Sequence, residues 1–198
     1  MFYDFWVENY NEETKKLLKK LGFSGACIFG AEVEDKGFIL AKGKSIKAKT
    51  NETADFLVLE NRDEKVQRAA IKNNSFDGIR SFVNYPAIKE MAERKIALVI
   101  CFNDLLNSSD TKKTLYLMKK SVTLAKKYKT PIVIASGAKN NWELRSASEL
   151  IGFGEVLGLT AEDAKKALNW FQEKIMERNK LKSEGKYIGP GVIIKHGS

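Results

Sequence analysis

The chain has 198 residues, 43% hydrophobic and 30% charged, with 34 Lys+Arg against 25 Asp+Glu for a formal net charge of +9. That balance suits one globular domain, residues 1–198, and argues against disorder except at the ends; the cationic surplus favours a polyanionic partner such as RNA or DNA. No apolar run approaches the ~18 residues of a membrane span, and the start, MFYDFWVENY, lacks the basic segment of a signal peptide. A cytoplasmic protein with no membrane partner is expected.

Short apolar runs alternate with helix-patterned segments along the chain. FYDFWV (2–7) reads as a first strand. Residues 11–21 follow as a helix, with Leu17, Leu18 and Leu21 on one face, acids early and lysines late, as the helix dipole prefers. GACIF (25–29), GFILA (37–41) and DFLVLE (55–60) are strand runs, and the piece 30–54 reads as strands and loop. Helix 63–72, strand 77–83 (DGIRSFV), helix 86–94 opening on Pro86, and strand 96–102 (IALVICF) come next. Helix 110–128 carries an apolar stripe of Leu115, Met118, Val122 and Ala125. Its opposite face holds Lys112, Lys113, Lys119, Lys120, Lys126 and Lys127. PIVIAS (131–136) is a strand, followed by a helix-like stretch in which Gly152-Phe-Gly154 reads as a C-cap or turn. Helix 161–178, capped by Thr160, buries Ala164, Ala167, Leu168, Phe171 and Ile175. GVIIK (191–195) is a last short strand in a polar tail, 179–198, expected to be partly mobile.

The strand runs are continuously apolar and rich in Val, Ile and Phe, as strands buried on both faces of a parallel sheet are. Strand–helix alternation with about eight strand candidates predicts right-handed crossovers in an α/β fold. Either a doubly wound sheet or a closed barrel satisfies it. A barrel of this length is short of the ~250 residues typical of the type, so a small, irregular TIM-barrel-like (β/α) barrel is the fold expected.

In both architectures function collects at the C-terminal strand ends. Those ends carry Trp6 and Glu8; Glu60, Asn61 and Arg62; Arg80 and Asn84; Asn103 and Asp104; and Ser136, Gly137 and Lys139, with Arg145 beyond. Acids are few there and cations and amides many, which suits phosphate better than a carboxylate-bridged metal pair. Surface ion pairs are the structural alternative for Arg62 and Arg80, with Glu60 pairing with one of them, and a helix cap with a tight turn is the alternative for Ser136-Gly137. Neither GxxxxGK[ST] nor GxGxxG is present. Lys139 is the one candidate for a Schiff-base lysine.

Cys27 and Cys101 lie in ACIF and VICF and read as buried, reduced core thiols. The only histidine is His196, in the terminal HGS, so zinc or His-based acid–base chemistry would rest on one terminal imidazole. No metal and no cofactor are expected. Aromatics do not interleave with basic residues as an RNA-stacking surface requires, so RNA binding would grip backbone and shape.

The ordered set of motifs resembles one family, the third protein component of archaeal and eukaryotic ribonuclease P. Tyr3-Asp4-Phe5 matches its first strand. Arg68-Ala69-Ala70 with Phe76-Asp77-Gly78-Ile79 matches a helix and the strand after it, and Ile96–Phe102 with Asn103-Asp104-Leu105-Leu106 a strand and its Leu-Leu segment. Pro131–Ala138, then Leu144-Arg145-Ser146, then Leu157-Gly158-Leu159 keep the family's order and spacing. The chain departs from the pattern at Ala147 and Glu149, where the family often has Pro and Asp, and at Val99, where it often has an acid. The resemblance implies a TIM-barrel-like fold and a non-catalytic subunit of the ribonucleoprotein that removes the 5′ leader of precursor tRNA. It implies as partners the ribonuclease P RNA, which does the chemistry, a small ferredoxin-like protein subunit, and other ribonuclease P proteins. Arg62, Arg68, Arg80, Lys139 and Arg145 are the candidate RNA or phosphate contacts. A stand-alone barrel enzyme, a metal-dependent phosphoesterase or a Schiff-base lyase, is the alternative.

Overall fold

The structure, a computed structural model, describes residues 2–29, 38–43, 56–74, 76–80 and 85–169, then Lys174, Glu177, Arg178, Leu181, Glu184, 187–189 and 192–193, with backbone alone at 27–29, 38–43, 187–189 and 192–193. Seven strands form one parallel sheet in chain order: β1 (Tyr3–Val7), β2 (Gly25–Phe29), β3 (Phe38–Gly43), β4 (Phe56–Leu59), β5 (Gly78–Arg80), β6 (Ala97–Cys101) and β7 (Ile132–Ala135). The sheet closes on itself. Val7 bridges Ala138 in parallel, and the Glu8 amide donates to the Ala138 carbonyl at 2.8 Å. The fold is therefore the irregular TIM-barrel-like barrel that the alternation of strands and helices predicts.

Alternation along the strands sorts the core into two layers, as a closed sheet must. Phe56 and Val58, Ala97, Val99 and Cys101, and Val133 and Ala135 join Tyr3, Phe5 and Trp6 in one cluster inside the barrel. Leu57, Leu59, Ile79, Leu98, Ile100 and Ile134 belong to the larger cluster that packs against the surrounding helices. The irregularity is in β1, whose register shifts between Asp4 and Val7. The bulge lets Phe5 and its neighbour Trp6 both join the interior cluster, which strict alternation would forbid.

The surrounding helices are α1 (Glu12–Lys20), α2 (Glu64–Lys72), α3 (Tyr85–Arg94), the short α4 (Asn103–Leu106), α5 (Thr111–Tyr128), α6 (Ala147–Val156) and α7 (Ala161–Ala167). Their starts are capped locally. Asn11, Asp63, Asp110 and Thr160 each accept a backbone N–H from the first turn of the helix that follows. Ser146 and Glu149 form a full capping box, so Glu149 preserves the α6 start despite its departure from the family pattern. On α5, Met118, Val122 and Ala125 are buried, Leu115 is half-buried, and the six lysines of the opposite face are all exposed.

Two expectations need correction. The run 191–195 adds no eighth barrel strand: Val192–Ile193 (β9) pairs antiparallel with Tyr187–Gly189 (β8) in a separate two-stranded sheet. The edge of β7 that an eighth strand would use is already met by β1. Gly152 and Gly154 lie inside α6, not at its end. A Cβ on Gly154 would stand 2.8 Å from Ile134 Cδ1 and 2.9 Å from Ala164 Cβ, so its bare backbone is what lets α6 lie close to β7 and α7. The helix stops instead at Leu157, followed by Gly158 with φ +100°. Asn103 and Asp104 stand just past the end of β6, as expected, and open the short α4.

Several expectations fall outside the described residues: most of 30–54 apart from β3, the strand run beyond Arg80 with Asn84, the side chains of Cys27, Phe171 and Ile175, His196, and most of 179–198. Among the described residues no helix is long and apolar enough to cross a membrane. Arg178, past α7, donates Nη1 to Asp77 Oδ1 at 2.6 Å. It thereby ties the C-terminal region to the end of the barrel where β5 begins.

Candidate nucleic-acid interface at the barrel mouth

Arg80 is the last residue of β5, and its guanidinium lies 4.2 Å from the centroid of the Trp6 ring. It is 8% exposed and engaged with two acids from neighbouring strand ends. Nε and Nη2 donate to Asp104 Oδ2 and Oδ1 at 3.2 and 2.7 Å, and Nη1 lies 3.3 Å from Glu60 Oε1. Trp6 Nε1 donates to Glu8 Oε1 at 3.2 Å. Beside this network opens a pocket of about 210 Å³ lined by Glu60, Asn61, Arg62, Arg80 and Asp104.

The expectation of few acids at the mouth is corrected here. Glu8, Glu60, Asp104 and Glu143 all take part, and the mouth's most buried cation is matched by its own carboxylates. Spacing in the sequence could not show this, because Glu60, Arg80 and Asp104 come from three different strand ends. Burial pushes the Cys101 thiol well up, so it is a neutral core thiol, as expected.

Ser136 and Gly137 form the turn that the sequence suggests, and both are buried. The Ser136 amide donates to Asp4 Oδ1 at 3.0 Å, its hydroxyl donates to the Trp6 carbonyl at 3.4 Å, and the Ala138 amide donates back to that hydroxyl at 3.1 Å. Gly137 has φ +72°, and a Cβ there would stand 2.7 Å from Cys101 Cβ. These two residues close the barrel. Asp4 is fully buried; its Oδ1 also accepts from the Trp6 amide, while Oδ2 has no hydrogen-bond partner among the described residues. Burial raises its pKa from 3.8 to about 6, against the lowering effect of the bonds from Ser136 and Trp6.

Beyond this floor, residues 139–145 form a braced turn. Asn140 caps a 3₁₀ turn (Asn141–Glu143) by accepting from the Trp142 and Glu143 amides. Glu143 Oε2 accepts from Asn103 Nδ2 at 2.7 Å and from the Lys139 amide at 2.8 Å. From the β1–α1 side, Asn9 Nδ2 donates to the Lys139 carbonyl at 2.6 Å and Thr14 Oγ1 to Asn141 Oδ1 at 2.8 Å. The turn carries two of the candidate cations. Lys139 is exposed. Arg145 is half-buried, with Nη1 donating to the carbonyls of Trp142 and Leu144 and its guanidinium 5.1 Å from the Phe102 ring centroid.

Arg62 lies at the exposed rim of the pocket. Arg68 stands apart on α2, exposed and 3.8 Å from Glu64. The structure thus places Arg62 and Arg80 on the lining of one pocket and carries Lys139 and Arg145 on the braced turn after β7. Trp142, 92% exposed on the braced turn between the last two, did not stand out in the sequence. The signal was Asn140 as a cap two residues before an aromatic, with Lys139 and Arg145 three residues to either side of it. Among the described residues, no three His, Cys, Asp or Glu side chains gather as a metal donor set. Lys139 stands in solvent rather than in the desolvated setting that activates a Schiff-base lysine.

Fold and site together define a TIM-barrel-like α/β protein with an internally paired mouth and an outer rim of cations and amides. The family model "RNase P subunit p30" matches residues 32–184, and the chain belongs to that family. Ribonuclease P protein component 3 of Methanosarcina mazei is 29% identical over 97% of this chain and 92% of its own length. The protein of the same name from Methanococcus maripaludis strain C7 is 27% identical over 74% and 69%. A solved chain from an archaeal ribonuclease P with mature tRNA matches the fold with a TM-score of 0.79, covering 99% of both chains at 21% identity.

Proposed function

We propose that this protein is a subunit of ribonuclease P, the ribonucleoprotein that removes the 5′ leader of precursor tRNA. In it the chain binds and stabilises the catalytic RNA, while the RNA carries the chemistry. The observation that carries the reading is the likeness, along nearly the whole chain, to ribonuclease P protein component 3. A net charge of +9 supports a polyanionic partner. Its protein partners are a small ferredoxin-like subunit and other ribonuclease P proteins.

Arg62, Arg68, Lys139 and Arg145 are the RNA or phosphate contacts we assign, each adding salt-dependent affinity by displacing counterions. Arg80 serves differently: its charge is matched by Asp104 and Glu60, so it fixes the strand ends that present Arg62. The test is to capture the tagged protein from its native lysate at moderate salt and sequence the RNA that accompanies it. One enriched structured RNA that cleaves precursor tRNA is the expected result. Recovery without any enriched RNA overturns the reading and turns attention to small ligands at the mouth pocket.

A further inference from the structure

We infer that Trp142 is a stacking surface for an unstacked nucleobase of the bound RNA, with Lys139 and Arg145 receiving the phosphates on either side. The inference rests on the RNA-binding reading above and deepens it. Four observations carry it. The indole is 92% exposed, so it contributes almost nothing to the core. The turn beneath it is rigid: the Asn140 cap, Glu143 bonded to both Asn103 and the Lys139 amide, and clamps from Asn9 and Thr14 fix its backbone. Little ordering entropy therefore remains to be lost when a ring is covered.

The turn also carries two cations. Lys139 is exposed on the same turn, and Arg145 is oriented by donating Nη1 to the Trp142 carbonyl at 3.1 Å, while its guanidinium carries further N–H donors suited to an anion. The acid of the turn, Glu143, is occupied by Asn103 and the Lys139 amide. Finally, an exposed aromatic on a turn that also carries two cations suits a nucleotide, base against ring and phosphates against charge, and stacking tolerates any base. A protein partner would more readily be met by an aromatic set in an apolar patch; this one is set among Lys, Asn and Arg.

The test uses the full-length chain, with the protein subunits that co-purify with it, titrated against the ribonuclease P RNA transcribed from the same genome. Trp142→Ala should weaken RNA binding roughly 5- to 150-fold, the range of one lost base stack, while Trp142→Tyr stays close to wild type. The slope of log affinity against log salt should not change for Trp142→Ala, since a stacked base displaces no counterions, but should fall by about one for Lys139→Glu. RNA should quench the Trp emission of the wild type, and that quench should vanish in Trp142→Phe. If Trp142→Ala binds RNA as tightly as wild type, the stacking surface is refuted and the RNA-binding reading stands. If that variant instead loses a co-purifying subunit while keeping RNA affinity, Trp142 is a protein contact and the inference is overturned. If the wild type itself binds no RNA at any salt, both readings fall together.

Discussion

The Arg80 guanidinium and the Asp104 carboxylate meet in a two-pronged pair, 2.7 and 3.2 Å, across the ends of neighbouring strands. This pair, with Glu60, makes the mouth an internally balanced floor. Removing the cation leaves two acids facing each other. Arg80→Met should lower unfolding stability by roughly 2–3 kcal/mol, below the value for a fully buried pair because the acids are partly wetted. Urea midpoints measure it; a midpoint equal to wild type would mean that the pair contributes nothing to the fold.

Asp4 gives the barrel a pH signature. Its folded pKa, about 6, lies above the usual carboxylate value of 3.8. Ionisation is therefore harder in the fold than in the unfolded chain, and this group costs stability above pH 6 and costs none below pH 4. Relative to Asp4→Asn, the wild type should gain up to about 3 kcal/mol as pH falls from 7 to 4. Parallel stability curves for the two proteins across that range would disprove it.

Two glycines with positive φ separate strain from crowding. Gly137→Ala meets both a disfavoured backbone and the Cys101 side chain, and should cost about 2–4 kcal/mol. Gly158→Ala meets only the backbone term, with open space around its Cβ, and should cost about 1 kcal/mol. Thermal melts of the pair check the order. Equal losses would show that the contact with Cys101 relaxes without cost.

Two surfaces are candidates for the proposed RNA contact, the mouth rim and the lysine face of α5. Charge reversal at Arg62 or Lys139 should reduce the salt slope of RNA binding by about one each. The same change at Lys119 or Lys120 should leave the slope unaltered if the rim is the contact surface. The opposite pattern moves the interface to α5.

Legibility in the sequence followed the range of the interactions. Helix α5 was readable from its stripe, α1 from its leucine face and charge gradient, α7 from its cap, and β4, β6 and β7 from apolar runs, because each depends on neighbours a few residues away. The position of Gly154 was misread, since only the approach of Ile134 and Ala164 explains it. Glu60 was readable as a partner for Arg62 or Arg80, but Asp104, the two-pronged partner of Arg80, was hidden because it comes from another strand end. Trp142 was passed over because exposure is a property of the folded surface: its flanking basic residues were visible, but the bracing from Asn9, Thr14 and Asn103 was not. Asp4 was placed on the first strand by family pattern, yet its bond to the Ser136 amide, 132 positions away, is visible only in three dimensions.

That last bond also sets a timetable for assembly. Strands β1 and β7 meet through Asp4 with Ser136 and Val7 with Ala138, whereas every other neighbouring pair of barrel strands is consecutive in the chain. On the ribosome the first strand emerges early and must wait, its Phe5 and Trp6 without their final neighbours, until residue 138 has been made. Closure is thus the most non-local step in forming this sheet and the one most dependent on a completed chain.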